Sequence, residues 1–211
     1  MNKEDILAAV EAKRGYLLPY HRMLANDDPE LLAAYDRLYE KLTLVPRVLS
    51  AQEREFVWMG LLAMAREEHG HIHARRAVDA GMSLDEIGDA IALAGAAEAF
   101  SATNFATKNW SEWVPAESAV GRYLKICEAA RGAISLNLAE IILSVCQAAR
   151  GRADAERLHL VRAFEAGASV GQMAEAMSYL LLPCGGPVLI DAVAAWEEAA
   201  VAGLCPSPYG D

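Results

Sequence analysis

Glu140 and His159 stand 19 residues apart. A carboxylate that orients an imidazole makes a group able to take up and return protons near neutral pH. In one straight helix, at about 1.5 Å per residue, the two would be separated by roughly 28 Å, so the chain between them must reverse. Gly151, within Ala149-Arg-Gly-Arg-Ala-Asp154, supplies the break, and Asp154 is expected to cap the returning helix. Glu156 lies one turn before His159 on the same face, in a first turn where the helix dipole favours a carboxylate. The spacing predicts an acid/base relay of one imidazole, His159, between two carboxylates, Glu140 and Glu156.

A second set is built alike. Glu55 and His73 are 18 residues apart, and Arg66-Glu-Glu-His-Gly-His-Ile-His73 fills the place of the break. Gly70 stands where the other set has Glu156, so Glu140 with His159 is the stronger catalytic candidate. The Glu55–His73 set has instead His69 and His73 at i, i+4, and Glu68 and His71 at i, i+3, spacings that put ligands on one helical face for a divalent metal. Such a site needs partners from elsewhere, and the competing reading is a solvated helix end. For His73 and His159 the competing reading is a core histidine hydrogen-bonded to its glutamate, holding a hairpin together. His21 reads as a surface residue or a pocket wall. Arg76, Arg152, Arg157 and Arg162 suit a carboxylate substrate, or ion pairs with Asp79 or Glu165.

The elements that must position these residues come from a duplication. The frame HxxxAxxxGxS occurs at His73–Ser83 and again at His159–Ser169, 86 positions on. Arg76 and Arg162, Ala80 and Ala166, and Asp89 and Glu175 also correspond. Upstream the offset is 85, pairing Ser50 with Ser135 and Glu55 with Glu140. Ser50-Ala-Gln-Glu53, Ser83-Leu-Asp-Glu86 and Ser169-Val-Gly-Gln172 are capping boxes, and Gly81 and Gly167 read as C-terminal caps. The unit is helix, cap, short turn, helix.

Ala, Leu, Glu, Met and Arg dominate, without alternating β-branched runs, so the fold class is all-α, with duplicated helical hairpins. Helices are expected over Ile6–Arg14 and over Pro29–Leu42, the latter capped by Asp28. Residues 101–115 read as the connector, with Trp110 and Trp113 packing across the seam or forming a ligand wall. Pro183-Cys-Gly-Gly-Pro187 interrupts the pattern before a last helix through Trp196, and Leu204–Asp211 is expected to be irregular. The expected division is 1–112, N-terminal helices plus first copy, and 113–211, second copy and last helix, forming together one compact unit.

With 54% hydrophobic residues, a net charge of −10 and a pI near 5.0, the chain can build a large core but opposes phosphate backbones and anionic lipid. No nucleic-acid or membrane partner is expected. Met1-Asn-Lys-Glu-Asp lacks the basic-then-apolar pattern of an export signal, so the expected location is cytoplasmic. Cys127, Cys146, Cys184 and Cys205 include no CxxC pair. An Ala-rich face such as Ile91–Ala99 is the kind that repeats bury against another subunit.

The duplicated frame, with a glutamate just after each serine-capped helix start, resembles the carboxymuconolactone decarboxylase and alkylhydroperoxidase D-like family over roughly residues 30–100 and 118–200. The resemblance implies a homo-oligomer and carries the glutamate–histidine pair over as Glu55 and His73, Glu140 and His159. In the family's peroxidase branch the histidine closes a CxxCxxH motif. Here those positions are Glu67, Gly70 and His73, and Ala153, Glu156 and His159, so thiol peroxidase activity is disfavoured. What the resemblance leaves is lyase or isomerase chemistry on a small organic acid, with no cofactor expected. The alternatives are a metal-binding enzyme or protein using His69, His71, His73 and Glu68, and a non-catalytic member whose repeats serve assembly.

Overall fold

The computed structural model describes residues 2–210 and is all-α: twelve α-helices and two short 3₁₀ turns, without strands among the described residues. Contacts divide the chain into two compact units, Met1–Val45 and Pro46–Asp211.

The first unit holds α1 (Lys3–Arg14), α2 (Pro19–Asp27) and α3 (Pro29–Thr43). As expected, α3 is capped by Asp28, whose side chain accepts from the backbone of Glu30 and Leu31. Ile6, Val10, Ala25, Leu32 and Ala33 form a small core. Beside it the buried Arg14 guanidinium donates to Asp36 at 2.8 Å and lies 3.7 Å over the Tyr39 ring. His21 is buried in this unit, not a surface residue: Leu18 N–H donates to its Nδ1 at 2.9 Å. Burial and the adjacent Arg14 charge push its pKa down to about 4.

The second unit contains both copies. The first copy is α4 (Ala51–Ala65), a 3₁₀ turn (Glu68–Gly70), α5 (His71–Asp79) and α6 (Leu84–Glu98). The second is α9 (Leu136–Ala149), α10 (Ala153–Glu165) and α11 (Val170–Ser178), followed by a 3₁₀ turn (Tyr179–Leu181) and α12 (Gly186–Val201). All three capping boxes form as the sequence predicts, each joining a serine hydroxyl to the N3 amide. Gly81 and Gly167 take φ of 89° and 91°, the left-handed caps that the repeat frame demands.

The two central helices, α4 and α9, pack directly on each other at the middle of one continuous core. Gly60 permits the approach, since a Cβ there would stand 2.6 Å from Ile142 Cγ2. The copies also clasp one another reciprocally. Glu175 on α11 accepts from the amides of Val48 and Leu49, which lead into α4, while its counterpart Asp89 on α6 accepts from Ala133, which leads into α9.

The 101–115 connector holds most of α7 (Phe100–Asn109), and α8 (Ala116–Ala130) follows it. Two expectations need correction. Trp110 and Trp113 do not pack across a seam but are 52% and 76% exposed. Asp154 does not cap α10, because the helix begins at Ala153 with Arg152 at its cap; the carboxylate instead lies 3.4 Å from Lys108. Of the Ala-rich face, Ala94, Ala96 and Ala97 are buried in the chain's own core, while Ile91, Ala92 and Gly95 are exposed. No helix among the described residues is long and apolar enough to cross a membrane.

Candidate active site

The reversal between α9 and α10 runs through Gly151 at φ 62°, as its sequence position demands. In the first copy Arg66 takes that place in the left-handed region at φ 57°, and the 3₁₀ turn replaces the first turn of the returning helix. In both copies the antiparallel arms bring glutamate and histidine together.

In the second copy His159 Nδ1–H donates to Glu140 Oε2 at 2.6 Å, and both groups are buried. Arg162, one turn further along α10, donates to Glu140 Oε1 at 2.8 Å. Burial alone would raise the Glu140 pKa, but the bonds and charges of His159 and Arg162 outweigh it and hold the carboxylate below its ordinary range. The Tyr123 hydroxyl, from α8, donates to His159 Nε2 at 2.7 Å. Tyr123 in turn accepts from Gln147 Nε2 at 3.0 Å, and Gln147 also donates to the Ala97 carbonyl at 2.9 Å. Every nitrogen of this imidazole is spoken for, and His159 is fully buried.

Glu156 is not part of that chain. It is 3% exposed, its Oε1 has no hydrogen-bond partner among the described residues, and the two ring nitrogens of His159 are bonded to Glu140 and Tyr123 instead. Burial pushes its pKa up to about 8, against the nearby Arg157 charge, with Asp191 adding to the rise. The second carboxylate of the expected relay is thus a tyrosine instead.

In the first copy His73 Nδ1–H donates to Glu55 Oε2 at 2.8 Å, while Arg54 donates to Glu55 Oε1 at 3.2 Å. Glu55 is fully buried and His73 is 7% exposed. His73 Nε2 meets no hydrogen-bond partner among the described residues. Burial lowers the His73 pKa, the Glu55 carboxylate opposes this, and the Arg76 and Arg54 charges reinforce it, so the net shift is downward. The ring packs against Trp58, centroids 4.6 Å apart and tilted 30°, and Trp58 stacks on Tyr179 at 4.5 Å. The Tyr179 hydroxyl is anchored to Glu175 Oε1 at 2.6 Å.

A cleft of about 250 Å³ lies beside this copy, lined by Met59, Leu62, Arg66, Glu67, His71 and Ile91 among others. The metal-ligand candidates do not converge. His73 turns inward to Glu55, His71 Nδ1–H donates to the Glu68 carbonyl at 3.2 Å, and the Glu68, His69 and His71 side chains lie at an exposed turn. Among the described residues no three of His, Cys, Asp and Glu are grouped to hold a metal.

Sequence reasoning missed Tyr123, Gln147 and Trp58. One signal for Gln147 was present: Glu140, Ser144 and Gln147 make an i, i+4, i+7 polar stripe on an otherwise apolar helix, and all three are buried. Tyr123 belongs to no motif and is brought in by packing of α8.

No curated protein and no solved structure matches the chain. The family model described as carboxymuconolactone decarboxylase family matches it twice, over residues 29–112 and 118–198. Two matches over two helical copies, each with its glutamate–histidine pair closed in space, carry the conclusion that the chain belongs to the carboxymuconolactone decarboxylase family.

Proposed function

We propose that the chain is an enzyme of acid/base type, a lyase or isomerase acting on a small carboxylated substrate, and that the first copy is its reactive one. The observation that carries this is the contrast at Nε2. Among the described residues His73 has that nitrogen without a hydrogen-bond partner and His159 does not.

A carboxylate on Nδ1–H fixes the tautomer, so neutral His73 offers its Nε2 lone pair outward. The downward pKa shift keeps it neutral at pH 7, the form a general base needs. In an isomerisation Nε2 takes the proton from a carbon beside the substrate carbonyl, the electron pair passes to the carbonyl oxygen, and the imidazolium, stabilised by Glu55, returns the proton to a different carbon. In a decarboxylation the carbon–carboxylate bond breaks, carbon dioxide leaves, the electron pair is held on the conjugated carbonyl, and a proton from solvent reaches the carbon by way of Nε2. The Arg54 and Arg76 charges that reach His73 favour an anionic substrate. The second copy, on this reading, serves mainly to hold α8, α9 and α10 together.

The test follows carbon-bound hydrogen exchange and carbon dioxide release with carboxymuconolactone and related lactone acids. His73→Gln is expected to lose 10²–10⁴-fold in rate, the range a positioned acid/base group contributes, and Glu55→Gln to lose less. A His73→Gln protein that folds and turns over like the parent overturns the proposal.

A further inference from the structure

Trp58 is 1% exposed, and its Nε1 is buried without a hydrogen-bond partner among the described residues. An indole N–H can only donate, and an unmatched donor in the interior is destabilising. The fold matches such a donor where the role is packing: the other buried tryptophan, Trp196, donates to the Pro206 carbonyl at 2.9 Å. At the 85-residue offset the second copy has Leu143, equally buried, so an apolar side chain meets the packing need at that place.

The first copy therefore carries a donor that its counterpart lacks, on a ring packed against His73 and kept in place by its stack on Tyr179. The same copy leaves His73 Nε2 without a hydrogen-bond partner among the described residues. We propose that the Trp58 indole N–H binds an oxygen of the substrate, the carbonyl or carboxylate oxygen on which negative charge gathers while His73 handles the proton. The inference rests on the acid/base reading of the first copy. It assigns Trp58 as a substrate-binding residue and fixes the ligand class as a small anion with an oxygen acceptor beside its reacting carbon. A donor already in place spends no reorganisation when the charge develops.

The experiment uses nitrogen-15-labelled full-length protein titrated with γ-butyrolactone carboxylate, reading the indole N–H signals. The Trp58 signal, assigned by its loss in Trp58→Phe, is expected to move saturably, while that of Trp196 stays in place. Trp58→Phe, which keeps an aromatic ring against His73, is expected to bind the probe at least tenfold more weakly and to lower kcat/KM by roughly tenfold to a thousandfold. A Trp58 signal that does not move, as for an N–H that holds water only, or a Trp58→Phe protein that binds the probe like the parent, overturns the inference. Loss of turnover in His73→Gln with Trp58→Phe unaffected removes the role of Trp58 and leaves the acid/base reading standing. Parental turnover in His73→Gln removes that reading whatever Trp58 binds.

Discussion

The Tyr123 hydroxyl lies 2.7 Å from His159 Nε2 and closes the one ring position through which that histidine could meet a substrate. The same position on His73 is open among the described residues. One duplicated frame thus yields two different environments for the same dyad.

Tyr123→Phe removes the donor to His159 and one acceptor of Gln147, while Gln147 keeps the Ala97 carbonyl. Stability is expected to fall by about 1–3 kcal/mol, the cost of leaving a buried polar group unmatched. Turnover per folded molecule should stay within about twofold of the parent, since an open His73 does the chemistry on the proposed reading. Urea unfolding and a rate assay on the same preparation check both, and a collapse of kcat with intact fold would assign the chemistry to the second copy.

The pH dependence follows from the His73 shift. Its pKa in the folded chain lies below 6.5, and the neutral form is the base, so kcat/KM is expected to rise with pH to a midpoint under 6.5 and then level off by about pH 7. The stability sign agrees: the unfolded chain binds the proton more readily, so stability falls as pH drops from 6.5 toward the folded value. An ascending limb centred above 7 would contradict the assignment.

Glu156 gives the opposite sign. Its pKa is raised from 4.5 to about 8, so the folded state holds the proton longer than the unfolded one, and stability is lost as pH rises from about 4.5 to about 8. Glu156→Gln removes the ionisation. The variant should match the parent near pH 4 and exceed it by a margin that grows as pH rises toward 8. Unfolding curves across that range test this, and a difference independent of pH would show that the carboxyl group does not titrate in this way.

Gly60→Ala tests the approach of α4 to α9. The new methyl would stand 2.6 Å from Ile142 Cγ2, and such overpacking costs about 1–3 kcal/mol, more than the gain of up to about 1 kcal/mol in helix propensity. Gly88→Ala, in α6 with open space around the added carbon, should instead stabilise by about 0.5–1 kcal/mol. Thermal unfolding of the two variants is expected to move in opposite directions.

The sequence by itself determined what local physics governs. The serine boxes, the glycine caps and the Gly151 reversal are settled within a few residues, because amides left free at a helix end take the nearest acceptor and a left-handed turn takes glycine. Two antiparallel arms of fixed rise then bring Glu140 to His159, and Glu55 to His73, whatever surrounds them. Arg66 marks where this runs out, since it takes the left-handed turn without glycine and no residue pattern announced it.

Tertiary structure decided what each dyad faces. Tyr123 comes from α8, Trp58 meets Tyr179 from the other copy, and Glu175 reaches back to the entrance of α4. Helical period places a residue on a face, but the rotation of one helix against another fixes what that face touches, and that rotation is set by how the whole core packs. For this reason Glu156 had the right spacing to be a relay partner and yet its Oε1 is left without a hydrogen-bond partner among the described residues, while the residue bonded to His159 Nε2 is 36 positions away in sequence.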